Sequence, residues 1–558
     1  MRATLRKPEL VGWILLGAAM TVCVVLLVWL QRDLAFADDS FSWLTLSGLG
    51  PAKALIEPYG GHLIFLPLLM FKAVLEIAGD SYTAMGLVQL ALLLALSLLL
   101  YIYGKRRVGA LLALPAAIII LFLGSSWDVM LQPMLGARFL AALVPGVAAL
   151  LALEREDHRG DVAACVLLVL AILSFEMGFA FVVGVGVSIA LRDDRLRRAW
   201  IVAVPIAIYG IWKIWAIRYG GTGLQLSNLI WVPAYAVDSL AIVAVSLFGL
   251  YYWVGFGQLT ALKLNGFNLN YLSEGVVILL LAGIAIFLTV RRLRRRGPLP
   301  ATFWVAVAVV VTLWVEQGLA LSPDRAPGEI RYIFPGTIAL LLFALEAARG
   351  IRTTRLSVLV AAVLTVTAVA GNVPRFKEGR DILAEYSATA NAAIAVMILG
   401  GHSVSPTFSP AADAPEAFPA ERAPSLGAGT AQQLAARYGA LGISVGELLD
   451  QPEWVRRSAD IVAAKALEVH TEAAGSSGAG CRPTPSAGDT VSVPRGGAIL
   501  VAKRPSSLLA RRFAGQFVIE VGGVEPGQPM VLKIPGDSSS APWHLQAPDS
   551  GGLTACPL

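Results

Sequence analysis

The chain has 558 residues, of which 56% are hydrophobic and only 15% charged, and its mean hydropathy is +0.70. A soluble protein carries about 25% charged residues, so this chain has too few charges to cover a soluble surface, and the composition describes a polytopic α-helical membrane protein. The excess of 44 Lys and Arg over 38 Asp and Glu is small, which makes nucleic-acid binding an unneeded reading, and four cysteines without periodic glycine or heptads exclude disulfide-scaffold, collagen-like and coiled-coil classes.

The first predicted span covers residues 10–30, behind Arg2, Arg6 and Lys7. A cleaved signal peptide has a shorter apolar core and a small-residue cleavage site, whereas this run ends in Val28-Trp29-Leu30-Gln31-Arg32 and reads as a retained helix. Further runs lie near 84–103, 108–123, 137–153, 162–175, 177–191, 199–216, 275–290, 302–321, 331–347 and 355–371, giving eleven predicted spans.

Charge in the loops orients them, because cytoplasmic loops hold the Lys/Arg excess. With the N-terminus inside, twenty basic residues fall in six short inner segments, among them Lys105-Arg106-Arg107, Arg195 to Arg198, Arg291 to Arg296 and Arg349 to Arg355. The longer outer segments hold six: Arg32, Lys53, Lys72, Arg218, Lys263 and Arg325. The stretch 62–78 is predicted as an interfacial helix on the outer leaflet, since counting it as a span would invert every later loop. Segment 229–257, interrupted by Pro233 and Asp238, must cross an even number of times and is predicted as an outer, re-entrant element.

The spans therefore end near residue 372, and the sequence predicts a transmembrane domain over 1–372 in the plasma membrane, with the rest extracytoplasmic. Residues 373–488 read as a helical and linker region: helix over 374–400, a Pro/Ala/Ser linker over 403–428, helix over 430–472. From 489 to 558, strands such as Phe517-Val518-Ile519-Glu520-Val521 and Met530-Val531-Leu532-Lys533-Ile534 alternate with Gly/Pro turns, so the tail is an α+β region ending in a small β-sandwich. Cys481 and Cys556 are the only cysteines of that exported tail and are expected to form a disulfide; Cys23 and Cys165 read as small apolar residues of the spans.

Two features carry chemistry. The first outer loop holds the adjacent carboxylates Asp38 and Asp39, one placed to take a proton from a hydroxyl while the other orients it or binds a cation. Ionisable residues within the spans favour their outer halves: Arg138 opening the fourth span, Glu176 ending the fifth, Lys213 with Arg218 ending the seventh, Glu316 in the ninth and Arg331 opening the tenth. Such residues are costly in lipid and face a bundle interior or wet cavity, so an outward polar cavity is predicted. No nucleotide signature is present, and the five histidines are too scattered for a zinc site. A divalent cation is left open, and no nucleotide cofactor is expected. A group-transfer enzyme outside the cell without nucleotides would draw its activated donor from the membrane, and lipid-phosphate sugars are such donors.

Over 1–372 the sequence resembles the type-C superfamily of polyprenyl-phosphate-dependent glycosyltransferases, which includes wall arabinofuranosyltransferases. The resemblance rests on Asp38-Asp39 after the first span and on Tyr59-Gly60-Gly61-His62 through Pro67-Leu68-Leu69 at the start of the interfacial helix. It continues in Tyr103-Gly104-Lys105-Arg106-Arg107, Ser174-Phe175-Glu176 and Arg331-Tyr332-Ile333-Phe334-Pro335. It implies sugar transfer from a polyprenyl phosphate to a glycan, lipid or protein hydroxyl in cell-envelope biogenesis, by inversion or retention, with Asp38 or Asp39 as base. The donor phosphate would meet Lys213, Arg218, Arg331 or Arg138, with His62, Glu176 and Glu316 lining the cavity. The alternatives are a flippase of a lipid-linked saccharide and a non-catalytic envelope glycan-binding protein.

Overall fold

The computed structural model describes residues 6–36, 40–220, 223–247, 249, 299–322, 325–418, 423–439, 441–474, 490–493 and 496–558. Asp38, Asp39, Cys481 and the predicted span 275–290 lie outside the described residues. Among the described residues, nine helical segments are long and apolar enough to cross a membrane: Lys7–Gln31, Tyr82–Val108, Ala110–Leu131, Pro133–Leu153, Arg195–Tyr219, Leu226–Leu247, Ala301–Leu319, Ile330–Ala347 and Arg355–Ser403. The chain is a multi-pass helical membrane protein with a β-sheet region at its C-terminal end.

The helices used below are α1 (Arg6–Gln31), α2 (Ser40–Gly48), α3 (Phe65–Ala78), α4 (Tyr82–Val108), α5 (Ala110–Leu121), α6 (Trp127–Leu131), α7 (Pro133–Leu153), α8 (His158–Ser174), α9 (Gly178–Ala190), α10 (Arg195–Arg198), α11 (Trp200–Ala216) and α12 (Val232–Leu247). Local chemistry sets their limits. Gly109 turns α4 into α5 with φ +89, a left-handed value that suits glycine. Pro133 opens α7 at a position where its missing N–H costs nothing, and Asp157 caps α8 by accepting from the Gly160 N–H. The predicted interfacial helix is α3, whose 14 residues extend about 21 Å, too short for the ~30 Å hydrocarbon layer.

Two compact units are present. The first comprises 1–32, 51–71 and 83–381. Its helix ends form two polar layers. At one end, Glu346 is fully buried and accepts hydrogen bonds from Tyr103 Oη (2.9 Å), Thr302 Oγ1 (2.9 Å), Arg349 Nε (2.9 Å) and Arg107. Glu154 there takes Arg106 (2.7 Å) and Arg107 (2.6 Å), and Lys105 pairs with Glu9 (3.3 Å). At the opposite end, Gln31 Nε2 reaches Gln89 Oε1 (3.3 Å) and the Met130 carbonyl (3.3 Å).

Segment Leu226–Leu247 corrects one expectation: Asp238 does not interrupt it, and a 3-10 helix, Leu226–Trp231, runs directly into α12. Pro233 falls in the first turn of α12 and starts that helix rather than interrupting it. Both ends of the segment are held at the end of the bundle opposite Glu346. Asn228 Nδ2 donates to the carbonyls of Leu319 (3.1 Å) and Leu321 (3.0 Å). At the other end of α12, Asn372 Nδ2 donates to the Ser246 carbonyl (2.8 Å) while its Oδ1 accepts from the Ser125 N–H (3.0 Å). The predicted break between residues 371 and 374 is also absent, since Arg355–Gly400 is one 46-residue helix containing Pro374. Two residues before that proline, Asn372 Nδ2 also bonds the Ala368 carbonyl (3.0 Å), adding a side-chain bond in the turn that the proline weakens.

The second unit comprises 33–50, 72–82 and 382–558, so two segments predicted as outer loop and interfacial helix group with the tail. Ser387 Oγ donates to the Ala35 carbonyl (2.9 Å), Tyr438 Oη to that of Gly48 (3.1 Å), and Arg437 pairs with Glu76 (3.2 Å). Two antiparallel four-stranded sheets follow, ordered β1-β6-β3-β8 and β2-β7-β4-β5. Their strands are β1 (His470–Ala473), β2 (Thr490–Val493), β3 (Gly496–Ala502), β4 (Ser506–Arg511), β5 (Ile519–Val524), β6 (Met530–Ile534), β7 (Trp543–Gln546) and β8 (Leu553–Pro557). Alternation buries Val491, Leu508, Ala510 and Leu545 of one sheet and Ala498, Leu500 and Leu532 of the other. Asp460, on the helix Glu453–Ala466, accepts the N–H groups of Arg512 (2.9 Å), Phe513 (2.7 Å) and Ala514 (3.1 Å). Burial pushes its carboxyl above the usual range, and those N–H groups offset this in part. Cys556 lies buried on β8, and no disulfide joins two described residues; Cys23 and Cys165 are buried free thiols.

Candidate functional site

The polar groups of the first unit that the sequence left without obvious partners meet at the end opposite Glu346. Tyr59-Gly60-Gly61-His62 closes a two-residue hairpin, with Tyr59 N to His62 O at 2.9 Å and His62 N to Tyr59 O at 3.0 Å. Gly60 and Gly61 take φ +55 and +85, the pair of positive values that such a turn requires. The turn is anchored by Leu63, which packs with Trp212 and Ala216 of α11, and by Trp212 Nε1 donating to the Ile56 carbonyl (2.7 Å).

Glu176 comes from the break between α8 and α9. Phe175 is extended, and a Cβ at Gly178 would stand 2.7 Å from the Ala171 backbone, so only glycine lets the chain turn this closely. On α11, Tyr209, Trp212 and Lys213 share one face at spacings of three and four. Arg325 comes from the loop that follows Ala301–Leu319.

These elements converge on the Glu176 carboxylate. His62 Nδ1 lies 2.8 Å from Oε2, and Lys213 Nζ lies 3.5 Å from Oε1. The Tyr209 hydroxyl donates to the same Oε1, and Lys213 Nζ also donates to the Gly61 carbonyl (3.4 Å). The far nitrogen of the imidazole, Nε2, stands 3.4 Å from Arg325 Nη2. Among the described residues Arg325 forms no ion pair with a carboxylate. The side chains of His62, Glu176 and Lys213 are 15%, 17% and 25% exposed, so the cluster is sheltered but not sealed.

The remaining predicted residues surround this core at different distances. Arg138 stacks on Phe175 (4.7 Å), the ring against which His62 also packs (5.0 Å). Glu316 lies within electrostatic range of Glu176 and Tyr209. Arg218 is exposed and stacks on Trp215 (4.4 Å) and Tyr219 (5.1 Å). Arg331 lies over Tyr332 (5.6 Å) and near Tyr235, away from the Glu176 contacts. Tyr209 was not predicted, and Arg325 figured only as a loop charge. The signal for Tyr209 was present in its spacing of four before Lys213, whereas nothing local distinguishes Arg325. Among the described residues, no group of three His, Cys, Asp or Glu converges as metal ligands.

No protein-family model and no curated protein matches the chain. Among solved structures it is similar to ArnT from Cupriavidus metallidurans bound to undecaprenyl phosphate, at 15% identity and TM-score 0.40, over 71% of this chain and 82% of that one. It is also similar to the archaeal oligosaccharyltransferase AglB from Archaeoglobus fulgidus in complex with an inhibitory peptide and a dolichol-phosphate, at 12% identity and TM-score 0.40, over 82% of this chain and 64% of that one.

Proposed function

We propose that the His62 end of the bundle transfers a sugar from a polyprenyl-phosphate donor to an extracytoplasmic hydroxyl on a glycan, lipid or protein, in building the cell envelope. The observation that carries this reading is Arg325, a guanidinium with no carboxylate partner among the described residues, set against His62 in the cluster whose Glu176 also pairs with Lys213. A cation left uncompensated near lipid calls for an external anion. A lipid phosphate supplies that charge in a shape the guanidinium fork binds at two points. The sequence motifs resembling type-C glycosyltransferases support the same class of donor.

In this reading Lys213 and Arg325 hold the phosphate, with Arg138 behind Phe175 adding positive potential, and Arg218 and Arg331 attract the headgroup from further out. Asp38 or Asp39 removes the acceptor proton as the hydroxyl oxygen attacks C1 of the sugar. The C1–O bond to phosphate breaks, and its electron pair leaves on the phosphate, where the cations offset the charge that develops.

The test is incubation of purified protein with polyprenyl-phosphate pentoses and hexoses, scoring released lipid phosphate. The wild type is expected to transfer at least one sugar, and Asp38→Asn or Asp39→Asn to slow transfer by roughly 10²–10⁴-fold, the usual worth of a general base. Wild-type rates in both variants would move the base to Glu316. No transfer from any donor, together with movement of lipid-linked sugar across vesicles, would replace the enzyme with a flippase.

A further inference from the structure

The contacts of His62 constrain where its proton sits. A guanidinium has donors only, so at Arg325 Nη2 the imidazole Nε2 must present its lone pair. The ring proton is then on Nδ1, donated to Glu176 Oε2 at 2.8 Å. A second proton on Nε2 would set an imidazolium against a guanidinium at 3.4 Å, a like-charge contact in a sheltered site. With Arg325 in this position Nε2 serves as the acceptor of a guanidinium N–H.

A phosphate changes both sides of that balance. Its oxygens match the guanidinium fork better than one ring nitrogen does, so Arg325 turns to the anion and releases Nε2. The freed nitrogen then faces an anion on one side of the ring while Glu176 accepts from Nδ1 on the other. Both favour the charged imidazole. The other groups packed around the ring are Lys213 and Tyr209 of α11, which bind Glu176, Glu316 of Ala301–Leu319, which stands within electrostatic range of Glu176, and Arg138 of α7, which acts across Phe175.

Resting on the proposed donor, we infer that His62 is a proton-carrying ligand of the lipid phosphate. It takes one proton from solvent at Nε2 as the phosphate draws Arg325 away, and then donates that hydrogen bond to a phosphoryl oxygen. When the sugar C1–O bond breaks, the phosphate passes from a singly charged diester towards a doubly charged monoester. The imidazolium is already in place to offset the added charge, and the proton stays on Nε2.

The probe is a polyprenyl methyl phosphodiester, which keeps a single charge near neutral pH and has no sugar to transfer. Its binding to the purified full-length chain is measured by calorimetry in buffers of different ionisation enthalpy, which counts protons taken up. The wild type is expected to take up a proton on binding, with affinity rising by up to about tenfold per pH unit as pH falls between the bound-ring and free-ring titrations, and falling again as pH rises. His62→Gln is expected to bind more weakly, without proton uptake and with a flat pH profile. Wild-type binding without proton uptake overturns the inference while leaving the donor reading intact, and so does unchanged uptake in His62→Gln. No binding of the diester by the wild type at any pH overturns the donor reading and the inference together. The wild-type measurement decides the matter even where the variant fails to fold.

Discussion

The two ends of the membrane bundle each gather carboxylates and basic side chains around one glutamate, and they differ in how completely the charges are matched. Glu346 is fully buried, and its two oxygens take donors from Tyr103, Arg107, Thr302 and Arg349. Arg107, itself 2% exposed, divides its guanidinium between Glu346 and Glu154. Among the described residues each of its arginines contacts a carboxylate of the chain, so the cluster joins helix ends. Glu176 also has three donors, but the cluster around it includes Arg325, whose contact is an imidazole rather than a carboxylate. Ionisable residues in a bundle therefore sort by whether their pairing closes, and the open cluster is where a ligand is expected.

The largest effect that could break this comparison is topological. The twenty basic residues of the predicted inner loops lead us to expect the Arg107 end on the cytoplasmic side. A cysteine at position 352 should resist impermeant label in intact cells, while one at position 329 should react. Labelling with the opposite pattern would turn the open cluster inwards and remove an extracytoplasmic acceptor from consideration.

Next in size is Glu346→Ala. Removing the shared carboxylate leaves Arg107 and Arg349 short of a counter-charge in a buried site, which is expected to cost about 3–5 kcal/mol. Thermal unfolding in detergent should show a large loss of stability, and activity should fall with the folded fraction. A fold that tolerates this change would show that the closed cluster does not hold the helix ends together.

The asymmetry also explains what could be read from the sequence. Apolar runs and loop charge give the helices and the alternation of their ends, because both follow from the bilayer. The interruption expected at Pro233 in segment 229–257 is absent because a proline in a helix and a proline at its first turn look alike in sequence. The expected end of the span at 371 gives way to one continuous helix, and the Asn372 side chain that serves the turn before Pro374 comes into play only when Ala368 and Ser246 are in place. In the site, His62, Glu176 and Lys213 are legible as ionisable residues where lipid disfavours them. Tyr209 has only its spacing of four before Lys213 to mark it, because a tyrosine near the end of a span is ordinary at a membrane interface. Arg325 is a loop charge until folding brings it to His62, 263 residues earlier in the chain.

Lys213→Ala sharpens the comparison from the open side. It should slow transfer by about 10²-fold, near 2.7 kcal/mol of lost transition-state stabilisation, with little change in unfolding temperature because Glu176 keeps His62 and Tyr209 as donors. Lys213→Arg should recover part of the rate by restoring the charge with a different shape. A stability loss comparable to Glu346→Ala would mean that this cluster is structural as well.

The smallest expected effect is that of Tyr209→Phe, and it tests how far the open cluster depends on internal order. The hydroxyl donates to Glu176 Oε1, the oxygen that Lys213 also approaches, while the ring packs edge-on against Phe179 (4.7 Å) and beside Trp212 (5.3 Å). Phenylalanine keeps that packing and removes one hydrogen bond, worth about 1 kcal/mol net. Transfer should therefore slow by roughly fivefold, since 1.4 kcal/mol is a factor of ten, with the unfolding temperature nearly unchanged. The loss should appear as a lower kcat, because the carboxylate would still be present but less firmly aimed at His62. An unchanged rate would mean that His62 and Lys213 alone fix Glu176. A loss of a hundredfold would mean that the hydroxyl touches the substrate itself, and the site would then extend along α11 beyond the phosphate-binding groups.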